Sequence, residues 1–289
     1  MPSARDEAFM QAALALARRG LGRTAPNPSV AALIVDENRT PPVVLGRGVT
    51  APGGRPHAEA IALEQAGEAA RGATLYVTLE PCSRRSTQGF GLSCTDHILE
   101  SGIARVVIGG TDASPLAAGE GAARLRAAGI TVEEGVLADE AGQLNIGHAT
   151  RMRFGRPFIQ VKLARTPDGF AGTADRRPLA ITGEEARAFV HRMRAGADAL
   201  VTGIGTVLAD DPLLDCRLPG MAEYSLLRVV LDSHARLPAT CRLVKDAARV
   251  PVLVATATLG ALDPEIAKAV GLEVLGIPKA RNHLDLHAL

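Results

Sequence analysis

The hydrophobic pattern in the first half of the chain alternates short apolar runs with amphipathic segments. Residues 6–19 carry apolar side chains at helical spacing and end at Gly20, which predicts an opening helix. Apolar runs predict strands at residues 30–35, 43–49, 73–79, 105–108 and 130–133, with the first two antiparallel. Helices are expected at residues 57–67, 94–101 and 120–128. This alternation predicts a layered α/β domain whose later strands run parallel.

The second half returns to the same alternation after a polar, basic stretch. That stretch, residues 149–155, is predicted as a connector between a first domain at 1–148 and a second at 156–289. The second domain is expected to contain strands at residues 158–164, 199–202, 227–231, 250–256 and 272–275, with helices at 182–195, 205–209 and 264–270. Because 289 residues exceed one ordinary hydrophobic core, two domains fit the chain.

Composition narrows the classes of function. The net charge is only +1, aromatic residues make up 3% and there is no Trp, so polynucleotide substrates, which need basic surfaces and stacking rings, are disfavoured. The N-terminus lacks the layout of a secretion signal, and no apolar run approaches the roughly 18 residues of a membrane span. Of the four Cys, Cys216 and Cys241 are expected as lone thiols. This usage indicates a cytoplasmic protein.

Three potential metal ligands, His57, Cys82 and Cys94, lie in the first domain. One imidazole and two thiolates suit zinc, and three protein ligands leave the fourth tetrahedral position open, as in catalytic zinc sites. Glu59, two residues after His57, supplies a carboxylate that can carry a proton beside the activated water. The order resembles the zinc-deaminase signature H-x-E followed by P-C-x-x-C, although 11 residues separate the two cysteines here.

Each of these residues also has a structural interpretation. His57 and Glu59 suit the first turn of a helix that follows Pro56, and cysteines are commonly buried as small apolar side chains. His97 lies three residues after Cys94 on the same predicted helix face, which makes it an alternative ligand. A zinc ion with a fourth protein ligand would be structural instead of catalytic.

Longer stretches resemble the bifunctional riboflavin-biosynthesis deaminase/reductase family over essentially the whole chain. In the first domain the similar segments are TAPNPSV at 24–30, PHAE at 56–59, GATLYVTLEPCS at 72–83 and LN at 144–145. In the second domain they are RPF at 156–158, KLA at 162–164, DG at 168–169, ITG at 181–183 and GIGTVLADDP at 203–212.

The resemblance implies a fold and two activities. The fold is a cytidine-deaminase-like three-layer α/β domain followed by a dihydrofolate-reductase-like α/β domain. In the first, His57, Cys82 and Cys94 hold zinc, and Glu59 carries the proton while the ring amine of a phosphoribosylated diaminopyrimidinone is removed. This substrate is a small, pyrimidine nucleotide-like molecule. In the second, NADPH reduces the ribose to a ribityl chain.

The resemblance also indicates binding residues. Asn27 is expected to contact the pyrimidine ring, and Arg84 and Arg85 stand where the family has other substrate contacts and could grip a phosphate. Further substrate-binding candidates are Arg187, Arg194 and Arg217, of which the first two share one helix face with His191; for this face a solvated surface is the favoured interpretation. The cofactor-binding candidates are Lys162, Thr206 and Asp210.

Two departures from the family leave alternatives open. The zinc loop has Arg84-Arg85 in place of the family's usual residues, so a deaminase of another small heterocycle is the alternative function. The family normally continues beyond Leu289 with a glycine turn for the cofactor phosphates, so an incomplete reductase-like domain is expected. That domain could reduce its substrate or serve as a non-catalytic scaffold, and homo-oligomers are expected to form through it.

Overall fold

The first unit of the protein is built around a five-stranded sheet. The computed structural model describes residues 2–83, 91–114, 118–174, 179–224, 226–281 and 283–288, and it separates two units, residues 1–160 and 161–289. The strands of the first unit are β1 (Ala31–Asp36), β2 (Val43–Val49), β3 (Thr74–Leu79), β4 (Arg105–Gly110) and β5 (Thr131–Glu134). Their order is β2-β1-β3-β4-β5; β1 is antiparallel to β2 and β3, whereas β3, β4 and β5 are parallel.

Helices cover both faces of this sheet. They are α1 (Ala4–Ala17), α2 (Ala58–Ala66), α3 (Cys94–Ser101), α4 (Glu120–Ala127), α5 (Ala138–Leu144) and α6 (Ile146–Phe154). Successive side chains of a strand point to opposite faces. Accordingly, Ile34 packs in the core with α2, α3 and α4, and its neighbour Val35 packs in the core with α1 and α5. The predicted three-layer α/β architecture is confirmed.

Helices α5 and α6 did not follow from the apolar pattern. Residues 149–155, expected as a connector, lie largely within α6, which ends at Gly155 in the left-handed conformation (φ 64°). Arg, Met and Ala are good helix formers, so a basic stretch of this composition can remain helical without an apolar face of its own. The two units of the structure meet in sequence after Gln160, and the predicted domain limits stay predictions.

The second unit contains a four-stranded parallel sheet. Its strands are β6 (Ala199–Gly203), β7 (Leu227–Leu231), β8 (Val252–Thr256) and β9 (Leu272–Gly276), hydrogen-bonded in that order. The helices are α7 (Glu184–Ala195), α8 (Ile204–Asp210), α9 (Arg242–Lys245) and α10 (Pro264–Lys268), and a short pair β10 (Lys279–Ala280) and β11 (His283–Leu284) follows. Across the part of the chain that is described, no helix has the length and apolar character needed to cross a membrane.

The strand predicted at residues 158–164 is wrong. These residues have no regular secondary structure, and the side chains of Ile159, Val161 and Leu163 are each more than 70% exposed. A strand exists only where a neighbouring backbone accepts and donates its hydrogen bonds. Among the described residues no strand pairs with this segment, so its apolar content alone does not make it a strand.

A partly buried ion pair attaches α1 to the sheet. Arg105 donates from Nη1 and Nη2 to the two carboxylate oxygens of Asp6, at 2.7 Å and 2.9 Å. Asp6 is 3% exposed and also closes a capping box with Ser3 at the start of α1. Arg105, with help from hydrogen bonds to Ser3 and Tyr76, holds the pKa of Asp6 well below its usual range.

Replacing this aspartate is expected to destabilise the first unit in a pH-dependent way. Because Asp6→Asn leaves Arg105 with only its longer 3.8 Å contact to Glu37, we expect a loss of about 2 kcal/mol in the free energy of unfolding at pH 7. A lowered pKa stabilises the fold above the ordinary Asp pKa of about 3.9, and this stabilisation is lost as the pH falls below it. Urea unfolding at pH 7 and at about pH 3 should therefore show a smaller difference between parent and variant at the lower pH.

Asp36→Asn is the control for this experiment. Its partner Arg39 is 64% exposed, so the pair should contribute less than about 1 kcal/mol. An Asp6→Asn effect no larger than that of Asp36→Asn, or one that is independent of pH, would contradict the prediction.

Candidate metal centre and active site

Helix α2 places His57 at its N-terminal end. His57 has an extended backbone (φ −73°, ψ 158°) directly before the first helical residue, Ala58. The helix approaches β2 closely because two residues of that strand, Gly46 and Gly48, have no side chain. A Cβ on Gly48 would overlap the carbonyl oxygen of Ala58. The glycines of β2 therefore fix how near the sheet His57 lies.

The two cysteines lie in different elements of the first unit. Cys82 follows the carboxyl end of β3, and Cys94 is the first residue of α3. Ser93 and Asp96 form a capping box at the start of α3, which orients its first turn. The backbone N–H of Cys94 donates to Sγ of Cys82 at 3.3 Å, so the start of this helix points at the Cys82 sulfur.

His57, Cys82 and Cys94 converge on one point. Their donor atoms all lie within 4.8 Å of one another, with Nδ1 of His57 3.2 Å from Sγ of Cys94 and 3.8 Å from Sγ of Cys82. Tetrahedral zinc, with bonds of about 2.0 Å to nitrogen and about 2.3 Å to sulfur, places such ligands about 3.5 Å apart. The three donors thus fit zinc bound through Nδ1 of His57.

The alternative ligand His97 does not join this group. Among the described residues, the set of side chains close enough to hold a metal ion consists of His57, Cys82 and Cys94. Three protein donors leave a tetrahedral ion one position for water or substrate. The geometry therefore leaves room for the open position that a catalytic zinc site needs.

Glu59 is buried beside the donors. It lies in the first turn of α2 and is 3% exposed. Burial, together with the negative charge of Cys82, raises the pKa of Glu59 to about 7. A carboxyl group of this kind can accept and release a proton near neutral pH.

The cysteine nearer to solvent is the more acidic of the two. Hydrogen bonds from the Cys94 thiol and from His57 lower the pKa of Cys82 to about 4, whereas the same contact with Cys82 raises the pKa of the buried Cys94. At least one thiolate is thus present at neutral pH before a metal binds. A preformed thiolate favours zinc capture.

Comparisons with known proteins agree with this geometry. A family model described as the cytidine and deoxycytidylate deaminase zinc-binding region matches residues 3–110, and the RibD C-terminal domain model matches residues 157–288. The riboflavin biosynthesis protein RibD of Aquifex aeolicus is 41% identical over 87% of this chain and 68% of its own length. RibD of Escherichia coli is 41% identical over 83% of this chain and 67% of its own length.

The chain belongs to the RibD family. Its structure is similar to that of Acinetobacter baumannii RibD, with a TM-score of 0.81 and 37% identity over 96% of this chain and 75% of that one. A RibD-type deaminase/reductase from Thermotoga maritima gives a TM-score of 0.81 and 38% identity over 93% of this chain and 73% of that one. The protein is therefore a zinc-dependent pyrimidine deaminase of riboflavin biosynthesis with a reductase-type second domain consistent with NADPH.

In this RibD chain, Asn27 is attached to the segment that leads into His57. Its side-chain Nδ2 donates to the carbonyl oxygen of Gly54 at 2.8 Å. A Cβ on Gly54 would lie 2.7 Å from that same nitrogen, so glycine is required there. Asn27, the predicted ring-binding residue, thus lies next to the segment that precedes His57 and α2.

Two residues that support the site were not assigned a role from sequence. Asn145 is 7% exposed, and its amide accepts from the backbone N–H of Ser29 and donates to the Ser29 carbonyl, each at 3.0 Å. Glu80 is 4% exposed and accepts four backbone N–H groups, from residues 112, 119, 121 and 122. The only signal for either was its place in a family-like segment, LN or LEPC.

The remaining deaminase-side predictions concern the zinc loop. Arg84 and Arg85, predicted to bind substrate, lie outside the described residues. Their neighbours on both sides, Ser83 and the segment that begins at Gly91, are described.

In the RibD C-terminal domain the structure gathers part of the predicted basic cluster. Arg194 Nη1 donates to the Asp215 carbonyl at 2.9 Å, and Arg217 lies 3.4 Å from the Asp215 carboxylate. The Arg217 N–H donates to Nδ1 of His191, the third residue of the helix face. Arg194 and Arg217 thus both contact Asp215, whereas Arg187 is exposed nearer the N-terminus of α7.

The three predicted cofactor residues lie in two segments of the second unit. Thr206 and Asp210 lie one turn apart on α8 and are both exposed. Lys162 is exposed in the irregular segment 158–164. Their role in cofactor binding stays a prediction.

Proposed function

We propose that His57, Cys82 and Cys94 hold a catalytic zinc ion and that Glu59 moves the proton during hydrolytic deamination. The observation that carries the proposal is the convergence of the three donor atoms within 4.8 Å of one another beside a buried carboxyl group. Zinc in such a site supplies Lewis acidity, which activates water as a nucleophile.

The residues of this chain divide the remaining work. Glu59 accepts a proton from the attacking water and passes it to the departing exocyclic amino nitrogen, so that a C–O bond forms, the C–NH2 bond breaks and ammonia leaves. Asn27 is proposed to orient the ring, since its amide is already fixed against Gly54. Arg84 and Arg85 stay predictions for the phosphate.

The proposed substrate is a phosphoribosylated diaminopyrimidinone. The Thermotoga maritima relative is described as a diaminohydroxyphosphoribosylaminopyrimidine deaminase and 5-amino-6-(5-phosphoribosylamino)uracil reductase. This chain is 38% identical to it over most of its length and has the same two domain types. We extend the deaminase substrate to this chain on that basis.

For the second domain, two functions are to be tested against each other. Arg194 and Arg217, which meet beside Asp215, support binding of a substrate phosphate and hence ribose reduction with NADPH. The alternative that the sequence left open, a non-catalytic scaffold, is tested in the same assay. Homo-oligomers through this domain and a cytoplasmic location stay predictions, as do the domain limits 1–148 and 156–289.

A single assay tests both halves. The zinc-loaded protein is given the phosphoribosylated diaminopyrimidinone with NADPH, and ammonia release and NADPH oxidation are followed together. We expect ammonia release, with a higher KM for the same compound lacking its phosphate. Ammonia from cytosine or guanine but none from the phosphoribosylated compound would contradict the proposed substrate, and ammonia without NADPH oxidation would identify the second domain as a scaffold.

A further inference from the structure

The two thiolate ligands are held by segments that no single element joins. Cys82 ends the segment after β3, Cys94 begins α3, and residues 83–93 separate them in sequence. The two segments contact each other at Thr95, whose backbone N–H and hydroxyl donate to the Cys82 carbonyl at 3.1 Å and 3.0 Å. Further contacts to the rest of the first unit add to this direct link.

One guanidinium contacts both segments. Arg124, on α4, donates from Nη1 to the carbonyl oxygen of Ser83 at 2.7 Å and from Nη2 to Oδ1 of Asp96 at 2.7 Å. Ser83 directly follows Cys82, and Asp96 lies two residues after Cys94 in the first turn of α3. The two Nη atoms of Arg124 thus donate to the two segments that carry Cys82 and Cys94.

Helix α4 is itself fixed to the Cys82 segment. Glu80, two residues before Cys82, accepts the backbone N–H groups of Gly119, Gly121 and Ala122 at the start of α4. At Gly121 the helix passes so near the chain that a Cβ would overlap the carbonyl oxygen of Pro81.

The first residue of α4 adds one more contact. Glu120 accepts a hydrogen bond from the Ser83 hydroxyl at 2.9 Å. Arg124 therefore lies on a helix whose start is already hydrogen-bonded to the Cys82 segment, and its side chain also contacts the Cys94 segment.

We propose that Arg124 is a positioning residue of the zinc centre: together with the direct Thr95–Cys82 contacts, it holds the Cys82 and Cys94 segments at the separation that the zinc donors need. This inference rests on the proposed zinc ligation by His57, Cys82 and Cys94. An ordinary exposed ion pair contributes little. Arg124 differs because its planar fork satisfies acceptors on two segments at once, which a single point charge cannot do.

The test is the zinc affinity of the full chain, measured by competition with a chromophoric chelator. Groups that orient metal ligands typically change affinity 10–100-fold when mutated, so we expect Arg124→Gln to weaken zinc binding by about tenfold or more. Arg124→Lys, which retains charge but not the fork, should not restore parental affinity. The visible absorption of the cobalt-loaded protein gives a second readout of thiolate geometry that does not depend on activity.

Arg126→Gln is the matched control. Arg126 lies on the same helix, but it pairs with Glu134 and donates to the Val132 carbonyl, away from the thiolate segments. The zinc affinity of the Arg126→Gln variant should stay within about twofold of that of the parent. The thermal unfolding of each metal-free variant separates loss of positioning from loss of fold.

The outcomes separate this inference from the ligand assignment. Tight zinc binding by the parent with equal affinities for Arg124→Gln and Arg126→Gln would overturn the positioning role and leave the ligands intact. A parent that binds no zinc would overturn both. If Arg124→Gln does not fold, parental affinity and a parental cobalt spectrum in Arg124→Lys would refute the need for the fork.

Discussion

Replacing Glu59 with glutamine is expected to lower kcat for deamination by about 10²–10⁴-fold while zinc stays bound, because the amide cannot carry the proton from water to the leaving nitrogen. Glu59 is 3% exposed in the first turn of α2, so the near-isosteric glutamine should keep the packing of that helix. Ammonia release at saturating substrate measures the change, and the zinc content of the purified variant is determined alongside it.

Glu64→Gln is the matched control for the charge change. Glu64 lies on the same helix with its side chain exposed, so the variant should keep parental kcat and zinc content. Near-parental kcat in Glu59→Gln would exclude Glu59 as the proton carrier. Loss of zinc from Glu59→Gln would instead show that the carboxylate supports the metal site.

Replacing Cys82 with serine is expected to abolish zinc binding and, with it, deamination. A serine hydroxyl is not deprotonated near neutral pH, whereas hydrogen bonds from Cys94 and His57 lower the pKa of Cys82 to about 4. Because a metal that binds only the folded state stabilises it, the parent should gain about 4 kcal/mol when free zinc reaches roughly a thousand times its Kd. Thermal unfolding with and without zinc should show this gain in the parent and not in Cys82→Ser.

Cys216→Ser controls for the loss of a thiol elsewhere in the chain. Cys216 is buried in the second unit, where its Sγ donates to the His191 carbonyl at 3.6 Å, and it is not part of the metal-capable group. The variant should therefore bind zinc and deaminate like the parent. A zinc-dependent stabilisation that survives in Cys82→Ser would contradict the assigned ligand set.

The donor set was predictable because the chemistry of its side chains is intrinsic to them. Imidazole, two thiols and a carboxylate in the order of His57, Glu59, Cys82 and Cys94 point to zinc hydrolysis before any fold is known. The sequence left open whether His97 would join them. Its absence from the cluster could be read only from where α3 places its first turn.

The strands of both sheets could also be predicted from the sequence, because apolar runs and their periodicity indicate local burial. β1 to β5 of the first unit, and β6 to β9 of the second, lie where such runs predicted them, to within two residues at each end. Residues 158–164 have the same local character and yet form no strand. The difference lies in the presence of a partner backbone, which local composition does not report.

The supporting contacts of the zinc site belong to the same class of non-local information. Glu80 and Arg124 look in the sequence like an acidic residue next to a proline and one of many arginines in this chain. Their acceptors and donors lie 28 to 42 residues away. Residue types and their spacing were thus sufficient to predict the chemistry of the metal centre and the strands that surround it. The hydrogen bonds that hold the metal centre in place were decided by tertiary structure, because they join groups that only folding brings together.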